Sequence, residues 1–401
     1  MTRRMLTGAV VAAIAATTIL VGGALRVADE EPSATAPTTK QLVRAGLEEQ
    51  QAARRTGEPV HYTRSERHLR QALQQDPNDV NALIGLASLA NTRHDFRQGL
   101  VLARRARSLA PDLALVYGVI GDAQIELGRH EAGIRSYERM AGLKPSIAAY
   151  ARVAQAQSLL GRTDAARETL RIALDAAVDA ETRAWAYVEL GRLDRGELRY
   201  VAAARQFGKA LAVSPGNPLA LEALAETEAA RGNLRRAVAL QSRAVERRFS
   251  PEFLASLGDL YAVAGNRAAA RRAYSRVAAQ EQRLAENGVD TDLDKAMFNL
   301  EHGIELAGSL ALARRGYANR PGTEANEVLS WALVRNGRCQ EAIAYSDRAL
   351  RFPDGHRYFR RAMIEDCLGR KAAAQRLFRR ALETDPNFSP IWARFAQAQL
   401  H

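Results

Sequence analysis

The chain has 401 residues, 47% of them hydrophobic, which is ample for a folded protein. Its two cysteines exclude a disulfide-rich scaffold, and no Cys/His spacing matches a zinc site. The net charge is +12 and, with only five lysines, is carried almost entirely by arginine, a bias that speaks to solubility and association, not to fold.

Arg3 and Arg4 precede an uncharged run from Met5 to Leu25, rich in Ala, Val, Ile and Gly. That length spans a bilayer once. The same layout, a basic start, an apolar middle and small residues at Gly22-Gly23-Ala24, suits a signal peptide. Residues 1–26 are therefore expected to be a membrane anchor or a cleaved signal; Thr2 to Leu6 also has a weak likeness to a twin-arginine export signal. Asp29-Glu30-Glu31 behind the run favour a cytoplasmic N-terminus with the rest of the chain outside. The expected location is extracytoplasmic, membrane-anchored or secreted, in a bacterial setting. Residues 27–40, with PSATAPTT from Pro32 to Thr39, read as a flexible linker.

From Leu42 onward a unit recurs, most clearly at Gly355 to Phe388. Two helical patterns, one through Tyr358, Ala362 and Glu365 and one through Ala374, Phe378 and Ala381, flank Leu368-Gly369-Arg370-Lys371. Prolines close the unit at Pro77, Pro111, Pro145, Pro215, Pro321 and Pro386. Small residues recur in the first helix (Ala53, Ala87, Gly121, Ala154, Gly191, Ala225, Gly258, Ala362) and in the second (Ala72, Ala106, Ala173, Ala210, Ala244, Ala349, Ala381). A glycine joins the two helices at Gly128, Gly161, Gly232, Gly265, Gly337 and Gly369, and a ring or leucine fills the second helix at Leu69, Tyr137, Leu170, Phe207, Tyr274 and Phe378. Small positions let backbones approach while larger residues such as Tyr117, Leu224 and Leu257 fill the gaps. Neither helix of a unit can bury its apolar stripe alone, so units must stack.

This pattern resembles the tetratricopeptide repeat family over residues 42–401. It gives units at 46–79, 80–113, 114–147, 147–180, 184–217, 218–251, 251–284, 290–323, 323–356 and 355–388. The resemblance implies an all-α fold: a right-handed α-solenoid of about ten helix-turn-helix repeats over residues 41–401. Residues 389–401 form a capping helix whose Trp392, Phe395 and Ala396 cover the last unit. Two places depart from the pattern: an insertion at 285–289 followed by a degenerate unit with Met297, Leu300 and Gly316, and a short insertion at Glu181-Thr182-Arg183. Drift explains such insertions more often than a modified binding face does.

No catalytic motif is present: no phosphate-binding glycine loop followed by lysine, no G-x-S-x-G elbow and no H-E-x-x-H pair. Glu301-His302 are adjacent on a helix and point apart. The repeats consume the chain, so no enzyme activity, metal or cofactor is expected.

In the family the first helices line the concave face. The resemblance then places Trp185, Glu189, Arg192, Glu222, Glu226, Glu252, Asp259, Asp294, Phe298, Glu301, Glu324, Glu327 and Trp331 in a groove. This groove is acidic, with Trp185, Phe298 and Trp331 as apolar anchors, whereas second helices carry arginine pairs such as Arg104-Arg105, Arg235-Arg236, Arg271-Arg272 and Arg379-Arg380. Two readings stay open: the carboxylates solvate an exposed face, or they hold a protein segment that is basic or neutral. The expected function is a non-catalytic scaffold or assembly factor. The alternatives are ligand binding or catalysis in the groove, or attachment of the basic outer face to anionic membrane. Family members that clamp acidic C-terminal tails use Lys and Asn at groove positions, a set missing here, and no regular code for nucleic acid is seen. The unit phase sets Cys339 at the start of one second helix and Cys367 near the end of the next first helix. Antiparallel packing makes them neighbours, able to form a disulfide in an oxidising compartment or to stay as two buried thiols.

Overall fold

The structure is a computed structural model that describes residues 36–400. The anchor or signal at 1–26 and most of the 27–40 linker lie outside the described residues. Among the described residues no helix is long and apolar enough to cross a membrane, and all regular structure is helical.

Ten helix pairs and a final helix follow one another. The pairs begin with α1 (Thr39–Thr56) and α2 (Val60–Gln75), α3 (Val80–Thr92) and α4 (Phe96–Leu109), α5 (Ala114–Glu126) and α6 (His130–Leu143), and α7 (Ile147–Leu159) and α8 (Thr163–Asp175). They continue with α9 (Ala180–Gly196) and α10 (Tyr200–Val213), α11 (Pro218–Ala230) and α12 (Leu234–Arg247), and α13 (Pro251–Val263) and α14 (Arg267–Glu286). The last are α15 (Asp292–His302) and α16 (Leu306–Asn319), α17 (Thr323–Arg335) and α18 (Cys339–Ala349), and α19 (Gly355–Cys367) and α20 (Lys371–Thr384), capped by α21 (Trp392–Ala398).

The boundaries follow from local chemistry. Six second helices stop two residues before a proline. The residue just ahead of that proline (Asp76, Ala110, Lys144, Ser214, Arg320, Asp385) is extended, with φ between −152° and −133°, because the proline ring disfavours helical backbone there. First helices start on side-chain caps: Asp79, Ser146, Asp179, Asn217, Ser250 and Asp354 each accept a hydrogen bond from an amide of the first turn. The joining glycines from Gly128 to Gly369 all take a left-handed φ near +70° to +83°, the conformation glycine adopts without penalty.

Three details differ from the sequence reading. The first helix begins at Thr39, capped by Thr38, so two residues assigned to the linker are helical. The insertion at 285–289 is split: its first two residues complete a 20-residue α14 and the rest form the turn after it, with Gly288 at φ +80°, while the degenerate unit still forms the α15–α16 pair. The insertion at Glu181-Thr182-Arg183 becomes the first turn of a 17-residue α9.

Packing is close at the small positions. A Cβ on Gly191 would come within 2.5 Å of the Phe207 ring, so only glycine lets α9 seat that ring. The core is a series of local clusters, one running from Leu83 to Leu127, another from Ala184 to Val277 and a third from Leu293 to Ala396, as expected when each unit is stabilised by its neighbours. In the last cluster Phe359 packs on Phe378, Phe388 and Trp392, so α21 caps the array.

The stack coils until it meets itself. The turn of one unit touches the loop that closes the unit five further on. Gly57 packs on the Phe249 carbonyl, and the Asp290 amide donates to the Arg93 carbonyl at 3.0 Å. His130 Nε2 and Thr323 Oγ1 are 3.1 Å apart, and Asn387 Nδ2 donates to the Tyr200 hydroxyl at 3.2 Å.

Candidate functional site

First helices of consecutive units touch each other, as in α1 with α3, α9 with α11 and α17 with α19, whereas among the described residues consecutive second helices make no comparable approach. First helices therefore line the inside of the curve. Charge separates along the same division. α11 carries Glu222, Glu226 and Glu228 with no basic residue, while α4 carries Arg97, Arg104, Arg105 and Arg107, all exposed, with no acidic one.

Most of the groove carboxylates have arginine partners. Glu226 pairs with Arg195. Asp294 and Glu324 both lie 3.1 Å from the buried Arg320 guanidinium. Glu301 meets Arg360 at 2.7 Å, and Glu189 meets Arg192 at 3.2 Å within α9. Arg195, Arg320, Arg357 and Arg360 were not among the expected site residues, and they make the inner face far less acidic than first helices alone suggest.

Three expected groove residues, Trp331, Glu327 and Glu222, are buried and not on an open surface. Trp331 is wholly buried, its ring packed against Phe359 and Trp392 with the Arg335 guanidinium 5.3 Å away, so it is a core residue and not an anchor for a partner. The capping helix brings Trp392 onto it. Glu327 is 1% exposed and is held by Arg357 at 2.8 Å and by Arg360, an internal ion pair between α17 and α19. Trp185 is half-buried against the Ala154, Leu170 and Leu190 cluster. Phe298 is also half-buried, its ring packed on Tyr274 and His302.

Glu222 and Glu252 remain without an ion-pair partner among the described residues. Glu252 is exposed at the start of α13, and Glu222 is buried on α11. Burial, and then the neighbouring Glu226 charge, push the Glu222 carboxyl up to about 8. Glu126, at the end of α5, is pushed to about 8 as well, by burial and then by Glu324. Glu281 on α14 reaches about 7 through burial and Asp294.

Asp259, His302 and Tyr274 form a constellation with the look of acid–base chemistry. Asp259 Oδ1 accepts from the Tyr274 hydroxyl at 2.7 Å and from His302 Nε2 at 2.8 Å. His302 Nδ1 lies 2.7 Å from the Phe298 carbonyl oxygen. Carbonyl and carboxylate are both acceptors, an arrangement that favours the imidazolium form of the ring. Burial opposes that charge, but the Asp259 hydrogen bond and charge outweigh it and raise the His302 pKa. Both ring nitrogens are already engaged within the protein.

Cys339 and Cys367 are joined as a disulfide, with Cα atoms 6.2 Å apart, linking α18 to α19.

Tetratricopeptide repeat profiles match residues 181–253, 114–147 and 355–388. No curated protein is significantly similar in sequence. Among solved structures, the human IFIT1 dimer with m7Gppp-AAAA is 16% identical, covers 79% of this chain and 72% of its own, and has a TM-score of 0.48. TTC0263, a thermophilic repeat protein of Thermus thermophilus, is 19% identical, covers 52% of this chain and 100% of its own, and scores 0.41. Yeast Tom70 is 12% identical, covers 90% and 95%, and scores 0.37. Likeness at this level transfers no binding property.

Proposed function

Because this chain belongs to the tetratricopeptide repeat proteins, we propose that it is a non-catalytic scaffold whose inner face holds a cationic segment of a partner protein. The observation that carries this reading is the pair of carboxylates without an ion-pair partner, Glu222 and Glu252, on a face where most of the other expected groove carboxylates are paired with arginine. A lysine or arginine side chain supplies the missing partner. Its approach favours the ionised form of Glu222, so binding releases a proton and strengthens as pH rises toward about 8. The scaffold works outside the cytoplasmic membrane, anchored or released. The apolar run at 5–25 supports export, and the Cys339–Cys367 pairing suits an oxidising compartment.

The test is an anisotropy titration of the full chain with two labelled peptides of equal length, one rich in lysine and one rich in aspartate. The lysine peptide should bind, more weakly at high salt, and Glu222→Gln with Glu252→Gln should weaken it about tenfold, roughly 1.4 kcal/mol. Equal binding of the two peptides, or an unaltered affinity in the double variant, removes the reading.

A further inference from the structure

The contacts where the coil meets itself differ in kind from those inside it. Each hydrophobic cluster is local, and none spans this seam. The seam is built mainly from hydrogen bonds and ion pairs, with one ring contact where His130 meets Phe352 edge to face at 4.7 Å between centroids. Gln280 Nε2 donates to the Gly57 and Phe249 carbonyls, both at 3.3 Å, and Arg283 pairs with Glu58. Thr63 Oγ1 and Asn287 Oδ1 are 3.0 Å apart. The Asp290 amide and carbonyl bond to Arg93 and His94, and Arg97 donates to the Ala318 and Asn319 carbonyls at 2.9 and 3.1 Å. Glu131 and Arg351, both more than half exposed, close the next step.

Parting such a seam opens no hydrophobic cluster and separates only the His130–Phe352 ring pair, and many of the freed groups, such as Glu58, Arg283, Glu131 and Arg351, sit where water replaces the lost partner. The separation need not break any unit, because a small rotation at each interface between units accumulates along the stack. The seam also adjoins the site proposed above. Glu252 lies three residues after Phe249, whose carbonyl oxygen is both the packing partner of Gly57 and an acceptor for Gln280.

We infer that the seam is a latch: it parts reversibly to admit a partner segment to the inner face and closes over that face at rest. This rests on the cationic-segment reading for its ligand, but the parting itself is measurable without one.

Two variants separate the states. Gly322 has φ −80°, a conformation open to any residue, yet a Cβ there would collide with the Glu126 carbonyl oxygen across the seam. Gly322→Ala therefore strains the seam and not its own helix. Thr63→Cys with Asn287→Cys, oxidised, locks it shut; Thr63→Ser with Asn287→Ser is the control.

The first readout is hydrogen exchange of the Asp290 amide, whose bond to Arg93 exists only in the closed form. In the parent chain this amide should exchange at least tenfold faster than helical amides of α13. The rate should rise about tenfold further in Gly322→Ala and fall to that of α13 in the locked chain. The second readout is the association rate of the lysine peptide, expected to drop at least tenfold on locking and to rise in Gly322→Ala. Parent-chain exchange at Asp290 as slow as in α13, or a locked chain that binds as fast as the serine control, overturns the latch. If no form binds the peptide, the ligand reading fails and the exchange result alone decides whether the seam parts.

Discussion

At Leu198, between α9 and α10, the backbone takes φ +60°, the left-handed region that the other units mostly give to glycine. A leucine there costs about 1–2 kcal/mol in backbone strain. Glycine relieves it but loses more entropy on folding, about 0.5–1 kcal/mol. Leu198→Gly should therefore stabilise the chain by about 0.5–1 kcal/mol, seen as slower amide exchange in the first turn of α10 and a higher melting temperature. His94, at φ +64°, presents the same strain, but its ring bonds the Asp290 carbonyl across the seam, so the same substitution there should bring no gain. A second residue-scale prediction concerns Glu222. The folded chain holds its proton more tightly than the unfolded chain, where the ordinary value of 4.5 applies. The stability from the neutral acid is whole below about 4.5 and is lost as pH rises through about 8. Glu222→Gln stays neutral throughout, so it should gain on the parent chain in denaturant midpoint between about pH 5 and 9, with the difference closing near pH 4. A constant difference across that range would assign Glu222 a role other than a proton-holding one.

Helices and their order were legible in the sequence because they are written locally: pre-proline stops, left-handed glycines, and caps such as Asp79 and Asn217 all act within a few residues. The inner face was legible only in part. Arg195 answers Glu226, and Arg357 answers Glu327, each from about one repeat period away. Charges offset by one unit were the available signal, and reading each helix alone misses it. Trp331 sat at a groove position by count, but α21 carries Trp392 onto it, a contact set by the end of the stack and not by the repeat. The disulfide was accessible from unit phase, and it has a consequence at the scale of elements. Closing a loop of 28 residues lowers the entropy of the unfolded chain, by an amount worth about 3–4 kcal/mol. Because units are stabilised by neighbours, Cys339→Ala with Cys367→Ala should loosen α18 to α21 first. Peptide-level exchange should show that loss while α1 to α4, which the seam ties to α12–α16 instead, keep their protection; a uniform loss would mean the array unfolds as one body.

That last alternative depends on the whole molecule, where the seam matters most. Its contacts join residues about 190 to 225 apart, such as Tyr200 with Asn387 and Glu58 with Arg283. No local pattern encodes them. They depend on the sum of small rotations between successive units, so a slight change in any one would move turn and loop past each other. A plain solenoid passes damage only to adjacent units. A solenoid that meets itself has a second route. Leu69 on α2 is fully buried, and its replacement by alanine should cost about 2–5 kcal/mol. In a plain stack the loss of protection would fade from α1–α4 toward α7 and α8. Here unit one also holds the α12–α13 loop through Gly57 and the end of α14 through Glu58 and Thr63. Leu69→Ala should therefore speed exchange in two separate stretches, residues 39–109 and residues 249–290, with α7 and α8 unchanged between them. Exchange that rises only in the first stretch would show that the seam carries no coupling, and the chain would then behave as a linear array despite its coiled form.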